Sequence, residues 1–190
     1  MHASLSDFLA DIVQNSIEAE ASLIEITVDE GIKTIECTVV DNGKGMSEEV
    51  RKRVSDPFYT DGVKHTRRKV GLGIPFLIQA VEACGGNFDL QSKKGEGTHV
   101  FFSFLLDHID CPPLGNLATA FVALLSYGGT YQMMIKRKLT TFDQTEMYEL
   151  DRLQLLDVLG DMHTSGNLQL LKTYVESFEA AVQEIRNPMG

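Results

Sequence analysis

Hydrophobic positions near the N-terminus follow two different periods. Between residues 4 and 20, apolar side chains recur every three or four positions, which predicts an amphipathic helix. Over residues 24–29 and 35–39, apolar and polar residues alternate, which predicts a two-stranded hairpin with one buried face. This hairpin ends at Asp41, directly before a glycine-rich turn. We therefore expect a carboxylate held rigidly at the end of a strand.

Hydrophobic periodicity also predicts the remaining elements in the first half of the chain. Residues 74–84 carry an apolar stripe at helical spacing and are followed by two glycines, which indicates a helix and its end. Residues 87–92 and 98–106 read as two further strands around a lysine- and glycine-rich turn. Residues 1–107 are therefore predicted to form a two-layer α/β sandwich, with helices on one face of a mixed or largely antiparallel sheet.

Residues 108–190 show a different sequence pattern from residues 1–107. Two prolines after Cys111 indicate a connector. An apolar helix from residue 117, a strand over 130–138, and helices near 145–158 and 167–186 are predicted to follow. No catalytic constellation stands out among them, so we expect a small, mostly helical C-terminal α/β unit that packs or docks a protein partner.

Composition narrows the function classes. The chain has 190 residues and a formal net charge of −10, which argues against binding to nucleic acid or to an anionic membrane surface. Its three cysteines are odd in number and form no C-x-x-C, so neither a disulfide framework nor a zinc site is indicated, and we interpret them as small buried thiols. No signal pattern or membrane-spanning run is found, and a cytoplasmic location is expected.

Two polar groups are candidates for ligand chemistry. Asp41 at a strand end needs a hydrogen-bond donor if it is buried, and the exocyclic amine of a purine would supply one. Asp11 and Asn15 are four residues apart on one helix, where they could share a metal ion and a water molecule. Each pattern also has an ordinary interpretation, as an Asx turn and as the polar rim of a helix.

A basic segment precedes the second predicted long helix. Lys64, Arg67, Arg68 and Lys69 fall within six residues. They lead into Gly71-Leu72-Gly73, where a helix would begin with unpaired backbone N–H groups. A charge run is usually a solvated loop, but this combination favours a phosphate site.

Five stretches in order resemble the Bergerat-fold ATP-binding domain of the gyrase, heat-shock chaperone, histidine kinase and mismatch-repair (GHKL) superfamily. Each matches one of its sequence boxes, and together they cover about residues 4–106. The stretches are Asp11-Ile12-Val13-Gln14-Asn15-Ser16-Ile17-Glu18-Ala19, Asp41-Asn42-Gly43-Lys44-Gly45-Met46, Asp56-Pro57-Phe58-Tyr59-Thr60, Gly71-Leu72-Gly73-Ile74 and Gly95-Glu96-Gly97-Thr98.

The resemblance implies ATP and Mg²⁺ as ligands. Asp41 would accept from the adenine amino group, with support from Thr98, and Gly45 would let the base approach. Asn15 would bind the magnesium ion. The basic segment would form a lid over the phosphates. The implied ATP-binding residues are Asn15, Asp41, Gly43, Gly45, Met46, Lys64, Arg67, Arg68, Lys69, Gly71, Leu72, Gly73 and Thr98.

One departure from the family bears on catalysis. Family members that hydrolyse ATP typically carry Glu as general base where this chain has Asp11. The shorter side chain sets the carboxylate back, and a misplacement of about 1 Å can cost on the order of 10²-fold in rate. The resemblance therefore implies slow hydrolysis, or binding without turnover.

Three functions remain open from the sequence. The first is a switch in which the lid closes on Mg·ATP and changes what a partner contacts. The second is a serine or histidine kinase acting in trans on a separate protein. A histidine kinase would carry its acceptor histidine on a helix ahead of the ATP-binding domain, so we interpret His108 as a linker residue. The third is a non-catalytic nucleotide sensor in a larger complex.

Overall fold

The computed structural model describes residues 4–54 and 73–186, and these residues form six helices and six strands. The helices are α1 (Leu5–Glu18), α2 (Glu48–Val54), α3 (Gly73–Ala83), α4 (Leu117–Ser126), α5 (Arg152–Leu159) and α6 (Ser165–Arg186). The strands are β1 (Leu23–Glu30), β2 (Thr34–Asp41), β3 (Phe88–Lys93), β4 (Gly97–Leu105), β5 (Gln132–Thr140) and β6 (Thr145–Asp151).

All six strands belong to one mixed sheet with the order β3-β4-β2-β1-β5-β6. Neighbouring strands are antiparallel except β1 and β5, which run parallel. The sheet is therefore continuous between residues 1–107 and 108–190, and the connector (residues 106–116) leads from β4 to α4. The division into two domains at residue 107 stays a prediction.

The sheet buries one face under the helices. Ile26 lies beside Val39 on β2 and Ile135 on β5, and each of these side chains is at most 1% exposed. Residues on the alternate positions, such as Glu25 and Lys136, are exposed. Helix α1 packs against α3 and α4, while α4 and α6 pack against each other. The predicted two-layer α/β sandwich and its mostly helical C-terminal α/β part are confirmed.

One predicted helix is partly wrong. We expected a helix over 145–158, but its first half is strand β6, and only 152–159 is helical. Tyr148 and Leu150 alternate with exposed residues and lie beside β5, so edge pairing with that strand decides the conformation. Asp151 then begins α5, because its carboxylate accepts hydrogen bonds from the backbone N–H groups of the next turn.

A buried ion pair joins the two halves of the chain. Arg137 on β5 is fully buried and donates a hydrogen bond to Glu30 at the end of β1. Its Nε lies 3.5 Å from Oε1 of Glu179 on α6, and Arg186 also bonds Glu30. Charges buried this deeply are tolerated only when they are paired. The cluster therefore fixes the positions of β1, β5 and α6 relative to one another.

Replacing Arg137 with Met should destabilise the whole protein. The change removes the buried cation that pairs with Glu30 and Glu179, so that within the described part of the chain Glu30 keeps only Arg186 and Glu179 keeps only the Tyr148 hydroxyl. It should lower the free energy of unfolding by about 3–5 kcal/mol. Lys138→Met is the matched control, because the neighbouring Lys138 pairs with Asp29 on the exposed face and should cost less than about 1 kcal/mol. Urea unfolding followed by circular dichroism measures both.

The same experiment tests the domain division. Four of the five tyrosines (Tyr127, Tyr131, Tyr148 and Tyr174) lie in residues 108–190, so tyrosine fluorescence reports mainly on that half. If the two halves unfold as one cooperative unit, fluorescence and circular dichroism will give coincident transitions, which the Arg137 variant shifts together. Two separated transitions would show independent domains and contradict the role given to the ion pair.

Candidate functional site

Asp41 ends β2 on the buried face of the sheet and is 8% exposed. The Ser16 hydroxyl on α1 donates to Oδ2 of Asp41 at 2.7 Å, and the backbone N–H of Gly43 donates to Oδ1 at 2.8 Å. Each carboxylate oxygen thus has one protein donor and can accept a further hydrogen bond. The arrangement holds the carboxylate in a single orientation beside the glycine turn.

The glycine turn after Asp41 lies tightly against the β3–β4 hairpin. Gly45 has φ +56°, and a Cβ there would lie 2.0 Å from the carbonyl oxygen of Lys93. Gly97 has φ +106°, and its Cβ would lie 2.0 Å from the carbonyl oxygen of Asp41. The protein's own backbone therefore requires glycine at both positions. The role of Gly45 in the approach of adenine stays a prediction.

Thr98 and Met46 both form a hydrogen bond with the hydroxyl of Ser92. Thr98 lies opposite Asp41 in the β2–β4 register, and its hydroxyl is 2.9 Å from the hydroxyl of Ser92 on β3. Ser92 Oγ accepts from the backbone N–H of Met46 at 2.9 Å and donates to the Gly97 carbonyl at 3.0 Å. Thr98 thus lies next to Asp41, and its hydroxyl joins the hydrogen bonds of Ser92 that reach the turn. Its support of the adenine contact stays a prediction.

The helix that carries Ser16 also carries the predicted metal and catalytic residues. Asp11 and Asn15 are exposed, whereas Ser16 is buried against the sheet. A methyl group added to Gly73 would lie 3.1 Å from Oδ2 of Asp11, so the start of α3 contacts the Asp11 carboxylate. The structure therefore brings the first and fourth sequence boxes together, with Asp41 bonded to the same helix.

Six residues of the predicted site lie outside the part of the chain that the structure describes. They are Lys64, Arg67, Arg68, Lys69, Gly71 and Leu72. Their roles in the lid and in phosphate binding stay predictions.

Two site residues were missed from the sequence. Ser16 lies four residues after Ile12, so it occupies a core-facing position of the helical stripe, and a hydroxyl there needs a partner. That placement was a usable signal. Ser92 gives no such signal, because its bond to the backbone of Met46 joins residues that are 46 positions apart in the sequence.

Comparison with known proteins identifies the family. Residues 2–108 match the model of the histidine kinase-, DNA gyrase B- and HSP90-like ATPase domain. The chain belongs to this family. Membership confirms the resemblance to the GHKL superfamily and its Bergerat ATP-binding fold, and it makes residues 2–108 a GHKL ATP-binding domain.

Relatives of this GHKL domain include bacterial sensor kinases. The chain is 38% identical over 84 residues to the sensor protein KdpD of Clostridium acetobutylicum, covering 43% of this chain and 9% of that protein. It is 34% identical over 101 residues to the sensor histidine kinase YcbM of Bacillus subtilis, covering 50% and 32%. The chain thus spans a third or less of these relatives.

A solved structure is also similar. The catalytic domain of histidine kinase ThkA is 25% identical with a TM-score of 0.38, covering 52% of this chain and 63% of that one. Within residues 4–54 and 73–186, no helix has the length and apolarity needed to cross a bilayer.

Asp41→Asn should abolish adenine-nucleotide binding while the fold is kept. The amide would turn an N–H₂ group toward a ligand amine that needs an acceptor, and affinity should fall at least about 100-fold. Ser16→Ala, which removes one donor to the carboxylate, should lower affinity roughly tenfold. Calorimetric titration measures both, with the half-exposed Asp29→Asn as control. Unchanged affinity in the Asp41 variant would refute the assignment.

Proposed function

We propose that the protein binds Mg·ATP and uses this binding as a conformational switch for a protein partner, with slow or no hydrolysis. The observation that carries the proposal is the buried Asp41 carboxylate, which Ser16 holds against the helix bearing Asp11 and Asn15. In this proposal the carboxylate accepts from the adenine amine, and the helix bonded to it carries groups suited to a metal ion and a water molecule.

The nucleotide is expected to run from Asp41 toward the start of α3. Its adenine amino group would donate to Asp41. Its phosphates would meet the N-terminal turn of α3 at Gly73, where backbone N–H groups favour anions. The cations Lys64, Arg67, Arg68 and Lys69, with Gly71 and Leu72, complete the phosphate site in this proposal as a lid, and their charge offsets that of the phosphates.

The residues present fit a magnesium ion carried by the nucleotide. Asn15 offers one oxygen ligand from an exposed position on α1. The described parts of the chain, 4–54 and 73–186, hold no cluster of three or more His, Cys, Asp or Glu side chains that would form a metal site. Mg²⁺ commonly binds through few protein ligands together with phosphates and water. The ion would supply charge neutralisation between the phosphates.

Asp11 is the candidate general base. Its carboxylate lies against Gly73, where the γ-phosphate and a water molecule would meet in this pose. An aspartate is ionised at neutral pH, but its short side chain places the carboxylate farther from that water than a glutamate would. The proposal therefore favours a long-lived ATP-bound state over rapid turnover.

Helix α1 offers a path from the nucleotide to residues 108–190. The backbone N–H groups of Leu5 and Ser6, at the start of α1, donate to the carbonyls of Pro113 and Leu114 at 2.9 and 3.0 Å. A Cβ on Gly115 would lie 2.2 Å from Oγ of Ser6, so the connector lies directly against this helix end. A shift of α1 on binding would therefore displace the connector and α4.

The partner-facing part is proposed to be residues 108–190. Several large apolar side chains are exposed on α5 and α6, including Leu153, Val158 and Leu170. The proposal takes these side chains as parts of a surface that the partner covers, because contiguous exposed apolar patches mark such surfaces. The acidic chain disfavours nucleic acid and anionic membranes as partners, and we place the protein in the cytoplasm.

Asn15→Ala should remove the dependence of ATP binding on magnesium. Wild-type protein should bind ATP more tightly with Mg²⁺ than with EDTA, whereas the variant should show nearly equal affinities because the ion has lost its protein ligand. Gln14→Ala, at the exposed neighbouring position on α1, is the control and should keep the wild-type difference. Retention of that difference in the Asn15 variant would remove Asn15 from the metal site.

Labelled ATP distinguishes the proposed switch from its alternatives. With phosphorus-labelled γ-phosphate, wild-type protein should release free phosphate slowly or not at all. Asp11→Glu should raise the rate by one to two orders of magnitude, roughly, if carboxylate reach limits hydrolysis. A flat response would mean that hydrolysis is not the role of Asp11. Transfer of label to a protein would favour a kinase acting in trans; relatives such as YcbM are named as histidine kinases.

A further inference from the structure

Two of the three cysteines lie side by side at the end of the ATP-binding domain. Cys84 directly follows α3, and its Sγ donates to the Leu105 carbonyl at 3.3 Å and accepts from the Leu105 N–H at 3.2 Å. The chain then turns back over the end of β4: the N–H of His108 bonds the Leu105 carbonyl at 3.1 Å, and the N–H of Cys111 bonds the His108 carbonyl at 3.0 Å.

This turn brings Cys111 back over Leu105, the residue whose backbone bonds the Cys84 thiol, and the Cys111 Sγ itself donates to the Pro112 carbonyl at 3.5 Å. The two thiols are close enough for Cys84 to help raise the pKa of Cys111. Cys111 is partly exposed, whereas Cys84 is fully buried. A small oxidant can therefore reach Cys111 from solvent, whereas Cys84 lies in the interior. Cys37, the remaining cysteine, is fully buried within β2 and pairs with neither.

We propose that Cys84 and Cys111 are a modification site at which a peroxide forms a disulfide between the end of α3 and the connector. The Cys111 thiolate attacks a peroxide oxygen, the O–O bond breaks, and Cys111 becomes a sulfenic acid as one water leaves. The Cys84 thiolate then attacks the Cys111 sulfur, the S–O bond breaks, and hydroxide leaves as a second water. Two thiols and one hydrogen peroxide give one disulfide and two waters, with two electrons passing from sulfur to oxygen.

The environment of the pair makes this reaction slow rather than impossible. Burial is the main cause that raises the pKa of the Cys111 thiol to about 11, and the neighbouring Cys84 thiol adds to the shift. Little thiolate is then present at neutral pH, so the site responds to sustained oxidant rather than to brief exposure. The bond would tie α3 to the connector that also contacts the start of α1.

The test is a peptide map of the full-length protein after hydrogen peroxide treatment at about pH 9, where more thiolate is present. Trypsin places the three cysteines in separate peptides, residues 34–44, 70–93 and 95–136. The proposal predicts that peptides 70–93 and 95–136 are joined, that the intact mass falls by about 2 Da, and that a thiol reductant reverses both changes.

Variants complete the test. Cys111→Ser should abolish the joined peptide, whereas Cys37→Ala, the matched control, should leave it intact. The wild-type map needs no variant to fold, so it decides the matter even if a substitution is destabilising. The proposal is overturned if all three thiols remain free, if 34–44 is the peptide joined, or if Cys111 gains about 32 Da as a sulfinic acid without any cross-link.

Discussion

The hydrogen bond between Ser16 and Asp41 is the contact on which the proposed site depends. It joins α1 to the end of β2 and so brings the first two sequence boxes to one place. Asp41 is buried, and its carboxylate would be costly there without donors. With Ser16 on one oxygen and the Gly43 N–H on the other, the carboxylate is held in one orientation, as the proposed bond to a ligand amine requires.

A second constraint is the continuity of the sheet. Strand β5 lies parallel to β1, and Arg137 pairs with Glu30 between them. The same buried face thus supports the ATP-binding elements and the C-terminal elements. Because the connector also bonds the start of α1, the helix that carries the proposed site is in direct contact with residues 108–190. The proposed switch would act through this contact.

Local periodicity predicted the elements that position the site. The alternation in β1 and β2 placed Asp41 at a strand end, and the helical periodicity of α1 placed Asp11 and Asn15 together on one helix, whereas the expectation of a shared site came from the family resemblance. Pairings between distant strands carry no local signal, so neither the parallel β1–β5 contact nor the role of Ser92 was foreseen. Residues 145–151 were predicted as helix, and their Glu, Met and Leu do favour helices, but pairing with β5 prevails.

The most direct measurement is a crystal structure of the protein with magnesium and a non-hydrolysable ATP analogue. The account predicts that the adenine amino nitrogen lies within hydrogen-bonding distance of the Asp41 carboxylate, with Ser16 still bonded to its other side, and that Asn15 contacts the magnesium ion. An adenine bound elsewhere, or an Asp41 side chain turned away from the base into bulk water, would contradict it.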